Sequence, residues 1–177
     1  HVDVQFATGR TLDVITQAET IAPLGVRITD DYGRYTAGTA ILETAERFTA
    51  EEREPSVQQF HLLAGALRSL AGAEHDPGLV LDAYLLRGLS IAGFAPNFVD
   101  CARCGNEGPH PLFSVQAGGV VCGSCRPRGS VAPTPQTVAL LSALLSGDWS
   151  AADASDRAAR RAASGITAAF LQWHLER

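Results

Sequence analysis

An α+β fold dominated by helices is what this sequence predicts, and three observations carry it. Apolar residues alternate with period two only near the start, and from Asp30 onward they recur at threes and fours. Between two of the helical stretches stand the pairs Cys101-Ala102-Arg103-Cys104 and Cys122-Gly123-Ser124-Cys125. The first implies a pair of strands, the second a helical bundle, and the third a small insertion built on cysteine.

His1-Val2-Asp3-Val4-Gln5-Phe6 reads as a half-buried strand. After a turn over Ala7-Thr8-Gly9-Arg10, Thr11 to Ile21 reads as a second strand. The parity change from Leu12 and Val14 to Ile15 marks a bulge. Two strands alone are marginal in water, so the pair wants partners. The chain has no Met and opens inside a strand, so those partners are expected upstream of His1.

The first helix is predicted from Asp30, with Thr29, Asp30 or Asp31 as its cap and Tyr32, Tyr35, Ile41, Leu42, Ala45 and Phe48 on its apolar face. A charged break at Glu51-Glu52-Arg53-Glu54-Pro55 ends it. Ser56 then caps a helix whose face is Val57, Phe60, Leu63, Leu67 and Leu70. Gly78 to Ala92 is apolar around nearly the whole axis, which places it at the centre of the bundle. Thr134-Pro135 is a cap followed by proline at the first helical position, and Val138, Leu141, Leu144 and Leu145 form the face behind it. Ala151 to Ala163 has little apolar bulk and is undecided between helix and loop. Ile166, Phe170 and Trp173 supply a last helical face.

Each Cys-x-x-Cys spacer lets two thiolates turn toward one point, and two facing knuckles make a tetrahedral sulfur cage. The gap of 17 residues between Cys104 and Cys122 lies in the range of zinc sites. Within it Gly105, Gly108, Pro109 and Pro111 make a turn-rich start, Leu112 to Val115 a short strand, Ala117-Gly118-Gly119 a tight turn and Val120-Val121 the returning strand. This is the outline of a zinc ribbon at 101–125, holding one structural zinc on Cys101, Cys104, Cys122 and Cys125. Two disulfides in an oxidising compartment are the alternative. Redox chemistry of the thioredoxin kind fits less well, because neither pair opens a helix behind a strand. His110 reads as a loop residue. Four thiolates leave no open position, so the metal is not expected to be catalytic.

The chain has 177 residues, 46% hydrophobic and 19% charged, with a formal charge of −5. Its pI of about 5.5 argues against a chain-wide nucleic-acid surface. All 14 basic residues are Arg, a skew that with abundant Ala and Gly points to a GC-rich genome. The longest apolar run, Gly78 to Phe94, carries Asp82 and Arg87 and is too short for a membrane span, so a cytoplasmic protein is expected. There is no phosphate loop, no His-Glu-x-x-His and no nucleophile elbow. Asp30-Asp31 and Glu51-Glu52 stand where caps and solvated turns expect acids. No enzyme is predicted.

The order of these features resembles a family, the bacterial RecO mediators of DNA repair and recombination. The residues that carry the resemblance are Gly9 to Glu19, Leu81 to Leu89, Ile91 to Pro96 running into the cysteine pairs, Gly118 to Cys122, and Leu171 to Leu175. Two departures stand out: most of the family's N-terminal OB-fold barrel is absent, and the chain stops at Arg177, before a basic tail common in the family. The resemblance implies that residues 1–24 are the C-terminal part of the barrel and 25–177 a helical domain with the ribbon inserted between its third and fourth helices.

It also implies a non-enzymatic function in the nucleoid. Members bind single- and double-stranded DNA, anneal strands coated by single-strand-binding protein, and help load RecA together with RecR. Arg10, Arg103, Arg126 and Arg128 are the local DNA-binding candidates, against a plain reading as solvated arginines. Members capture the acidic, apolar-ended tail of single-strand-binding protein on the helical domain. Here Arg87, Arg160 and Arg161 are the candidate cations, beside the apolar faces Leu79 to Ile91 and Val138 to Leu145. A helical zinc-ribbon adaptor of another bacterial complex, without nucleic-acid binding, is the competing expectation.

Overall fold

The computed structural model describes residues 1–49 and 55–175, so the charged break predicted at Glu51 to Glu54 lies outside the described residues. At the start, β1 (Val2–Ala7) pairs antiparallel with β2 (Val14–Thr20). Gln5 faces Gln17 while Phe6 faces Ile15, leaving Thr16 as the extra residue. This is the expected bulge, and the Thr16 hydroxyl donates to the Gln5 carbonyl across it at 3.2 Å. The second strand begins later than predicted. Thr11 to Asp13 belong to the turn, where the Asp13 carboxylate accepts the Gly9 N–H at 3.2 Å and competes with the ladder.

The helices follow as α1 (Leu24–Thr29), α2 (Tyr32–Phe48), α3 (Val57–Gly72), α4 (Pro77–Ile91), α5 (Pro135–Ser146), α6 (Trp149–Asp153) and α7 (Arg157–Leu175). The short α1 was not foreseen. Of the three candidate caps for α2, Asp31 serves, its carboxylate accepting from the Arg34 N–H at 2.8 Å. Ser56 precedes α3 but makes no side-chain cap bond. The unforeseen cap of α4 is Asp76, which accepts from Gly78 at 2.9 Å ahead of Pro77. Thr134 caps α5 as expected. The undecided stretch resolves into α6 and the first turns of α7, started by Asp148 accepting from Ala151 and Asp156 from Ala159.

α4 is the axis of the bundle, packed by α2, α3, α5 and α7. Leu79, Val80, Tyr84, Leu86 and Leu89 are all buried. Two predicted faces are corrected. On α2 the core stripe is Ala37, Gly38, Ile41 and Thr44, whereas Tyr32, Tyr35 and Leu42 are exposed, because small residues let neighbouring helices approach. On α3 Val57 and Phe60 face solvent, and Gln59 goes inside because its side-chain amide donates to the Gly88 carbonyl at 3.0 Å. Gly88 itself makes room for Phe48, whose ring would lie 2.5 Å from a Cβ there.

Between α4 and α5 the ribbon forms from β3 (Leu112–Ser114) and β4 (Gly119–Val121), antiparallel. Phe113 and Val120 join Leu89 and Phe170 in one buried cluster, so the ribbon closes one end of the bundle. Among the described residues no helix is long and apolar enough to cross a membrane.

Candidate metal centre

The two knuckles are held in register by backbone. Asn97, just upstream of the first, donates to the Gly118 carbonyl at 2.9 Å and accepts from Val120 at 2.8 Å; Ala102 within it donates to Val120 at 2.8 Å. Gly119 is required for this contact: its φ is 157°, and a Cβ would fall 2.2 Å from the Asn97 carbonyl oxygen. The Asn97 side chain adds a turn, accepting from Val99 and Asp100 at 2.9 and 3.0 Å. The first knuckle closes with Gly105 N–H on the Cys101 carbonyl at 2.8 Å, and the second with Cys125 N–H on Cys122 at 3.1 Å.

The result is four sulfurs, on Cys101, Cys104, Cys122 and Cys125, all within 4.8 Å of one another, and all four are free cysteines. The Cys104 and Cys122 sulfurs are 3.8 Å apart. A tetrahedron with metal–sulfur bonds of about 2.3 Å has edges of ~3.8 Å, so the spacing fits a tetrathiolate metal. Electrostatics agree. The Cys122 amide, 3.4 Å from the Cys101 sulfur, pulls that thiol down to about 6, whereas the neighbouring Cys122 sulfur pushes the Cys125 thiol up to about 12. Crowded thiolates of this kind need a cation to ionise together. His110 stays out of the set, its Nε2 lying 2.9 Å from the Asn106 carbonyl.

Arg103 is exposed inside the first knuckle, Arg126 and Arg128 are exposed just after the second, and Arg10 is exposed on the β1–β2 turn. Arg87, half-buried on α4, lines two adjoining cavities of about 550 and 290 Å³ that share His61 and Leu62. Tyr84 and Ser69 also line the smaller one, and neither hydroxyl has a hydrogen-bond partner among the described residues. Burial pushes the Tyr84 phenol up to about 12. Arg160 is differently engaged: it pairs with Asp76 at 3.4 Å and donates to the Asp153 carbonyl at 2.8 Å. Arg161 is exposed on α7.

Sequence reasoning missed the clamp around Arg160. His75 stacks on Trp149 at 4.0 Å and bonds Asp153 at 2.7 Å, tying the α3–α4 link to α6. His75 and Asp153 lie 78 residues apart, and no periodicity links them.

Fold and site together define a helical domain carrying a ribbon whose four clustered cysteines are placed to hold a metal ion. The family model described as the Recombination protein O C terminal matches residues 29–177. The chain is 60% identical to the DNA repair protein RecO of Streptomyces griseus, over all of this chain and 74% of that protein. It is 57% identical to RecO of a Nocardioides species, with the same coverage, and 56% identical to RecO of Thermobifida fusca, over 99% of this chain and 72% of that protein. The chain belongs to the RecO family of DNA repair proteins.

Proposed function

We propose that this chain is a recombination mediator that works without catalysis: it binds single- and double-stranded DNA, anneals strands coated by single-strand-binding protein, and helps load RecA together with RecR. The observation that carries this reading is similarity to RecO proteins along the whole chain rather than at the cysteines alone. In this reading residues 1–24 are the end of an OB-fold barrel. The exposed apolar side chains of β1 and β2, Val2, Phe6, Val14 and Ile15, support it, since a barrel would cover them.

The metal is one structural zinc, supported by the four-sulfur set and its spacing. Its role is to order a segment whose apolar content is small, with a gross gain of about 10–16 kcal/mol in isolated zinc modules. For the acidic tail of single-strand-binding protein, Arg87 is the best placed of the three candidate cations, because it alone lines the adjoining cavities while Arg160 is engaged internally.

DNA contact is assigned to Arg103, Arg126 and Arg128, with Arg10 on the hairpin. Replacing the three ribbon arginines by Ala in the full-length protein is expected to weaken DNA binding and flatten its salt dependence. Each true phosphate contact removes about 0.7 to 0.9 from the log–log slope. An unchanged slope would reduce the cluster to solvated surface, and no oligonucleotide binding by the full-length protein would favour a protein–protein adaptor.

A further inference from the structure

The sulfur cage is shielded unequally. Cys101 is 2% exposed, with the Cys122 amide against its sulfur, whereas Cys104, at the other end of the same knuckle, stands exposed. The Cys122 sulfur lies 3.8 Å from that of Cys104 and also meets the Ser124 hydroxyl at 3.1 Å. Susceptibility to oxidation follows thiolate character and exposure, helped by a resolving thiol within reach. In the metal-bound cage all four sulfurs are thiolates, so exposure singles out Cys104.

We propose that Cys104 is a peroxide-modification site, at which oxidation closes a Cys104–Cys122 disulfide and expels the metal. This rests on the structural-zinc reading. The Cys104 thiolate attacks hydrogen peroxide, the O–O bond breaks, and the leaving hydroxide takes a proton to become water, which leaves Cys104 as a sulfenic acid. The Cys122 thiolate then attacks that sulfur, the S–O bond breaks, and a second water departs with a second solvent proton. Two thiolates are oxidised by two electrons in all, and one peroxide is reduced to two waters. The metal is left with two sulfur ligands and dissociates.

The fold gives the event a consequence. Cys122 directly follows β4, whose Val120 and Val121 are buried, and Phe113 on β3 lies 6.2 Å from Phe170 of α7 in an edge-to-face contact. Releasing the second knuckle loosens the strand pair that covers Leu89 and Phe170. The site therefore couples peroxide to exposure of an apolar end of the bundle.

The test uses the zinc-loaded 177-residue chain treated with hydrogen peroxide. Zinc release is read with a chromogenic chelator, and the disulfide is located by peptide mass mapping. Cys104→His keeps four donors, since three cysteines and a histidine also bind zinc. It is expected to slow release roughly tenfold if exposure governs reactivity. Cys101→His is expected to release at the wild-type rate. A Cys104–Cys122 peptide in the unsubstituted chain supports the proposal without any variant. Pairing that leaves out Cys104, or undiminished release from zinc-loaded Cys104→His, overturns it. Protein that never held zinc overturns the structural-zinc reading itself, before any peroxide is added.

Discussion

The first hairpin, β1 and β2, runs six and seven residues per strand and leaves nearly all of them exposed, whereas β3 and β4 have three residues each and are almost wholly buried. Strand length alone would rank them the other way. The shorter pair has what the longer one lacks: a bundle end to cover, with Phe113 between Phe98 and Phe170, and a sulfur cage closing its open side. A strand pair is ordered by what lies against its faces, because its own ladder is marginal.

The largest effect is expected from breaking the cage. Cys125→Ser leaves three thiolates that cannot complete the closed shell, so the ribbon should lose zinc and the chain should lose several kcal/mol of stability, a sizeable part of an ordinary domain's margin. Elemental analysis and a denaturant melt of the variant measure it. Full zinc content with an unchanged melt would show that the ribbon is held by its apolar contacts alone.

A paired truncation compares the two hairpins directly. Phe113→Ala empties a position 1% exposed and is expected to cost about 3–5 kcal/mol. Phe6→Ala, at a position 60% exposed, is expected to change stability by less than about 0.5 kcal/mol. Similar costs from urea melts of the two would mean that the first hairpin carries structural weight that its exposure hides.

Several of these features were legible in the sequence for identifiable reasons. The ribbon was, because Cys-x-x-Cys spacing leaves thiolates little other geometry, and so was the start of α5, because Thr134-Pro135 encodes both the cap and the first φ. α4 was also legible, since a helix apolar all round has only one place to go. The faces of α2 and α3 were not. Periodicity proposes a stripe, but Thr44 and Gln59 are buried, the Thr44 hydroxyl donating to the Ala40 carbonyl at 2.8 Å and the Gln59 amide to the Gly88 carbonyl at 3.0 Å, while the Gln59 Oε1 has no partner among the described residues. The sequence marks Gly119 as a turn residue, and its close approach to Asn97 arises only with the two segments side by side.

The bundle end beneath the ribbon offers the most diagnostic test. Asp82 on α4 is 4% exposed, and burial raises its carboxyl to about 7 from 3.8, with the Ser164 hydroxyl of α7 pulling the other way. Leu89 and Phe170, on which the ribbon rests, lie about two turns further along the same two helices. Because the folded value is raised, the folded chain binds the extra proton. The contribution of Asp82 to stability is therefore fully present below about pH 4 and lost as pH rises through about 7, by at most about 4 kcal/mol at 1.36 kcal/mol per pKa unit. Asp82→Asn removes that dependence, so the stability difference between variant and wild type should grow from pH 4 to 7 and flatten above it. Acid loss of zinc affects both proteins alike and drops out of the difference. Amide exchange at Val120 and Val121 should follow the same curve, while exchange in β1 and β2 should not, since that hairpin does not rest on α4. Parallel pH profiles for wild type and Asp82→Asn would show that the carboxyl does not titrate in this window. A matching response in both hairpins would mean that the first is coupled to the bundle after all.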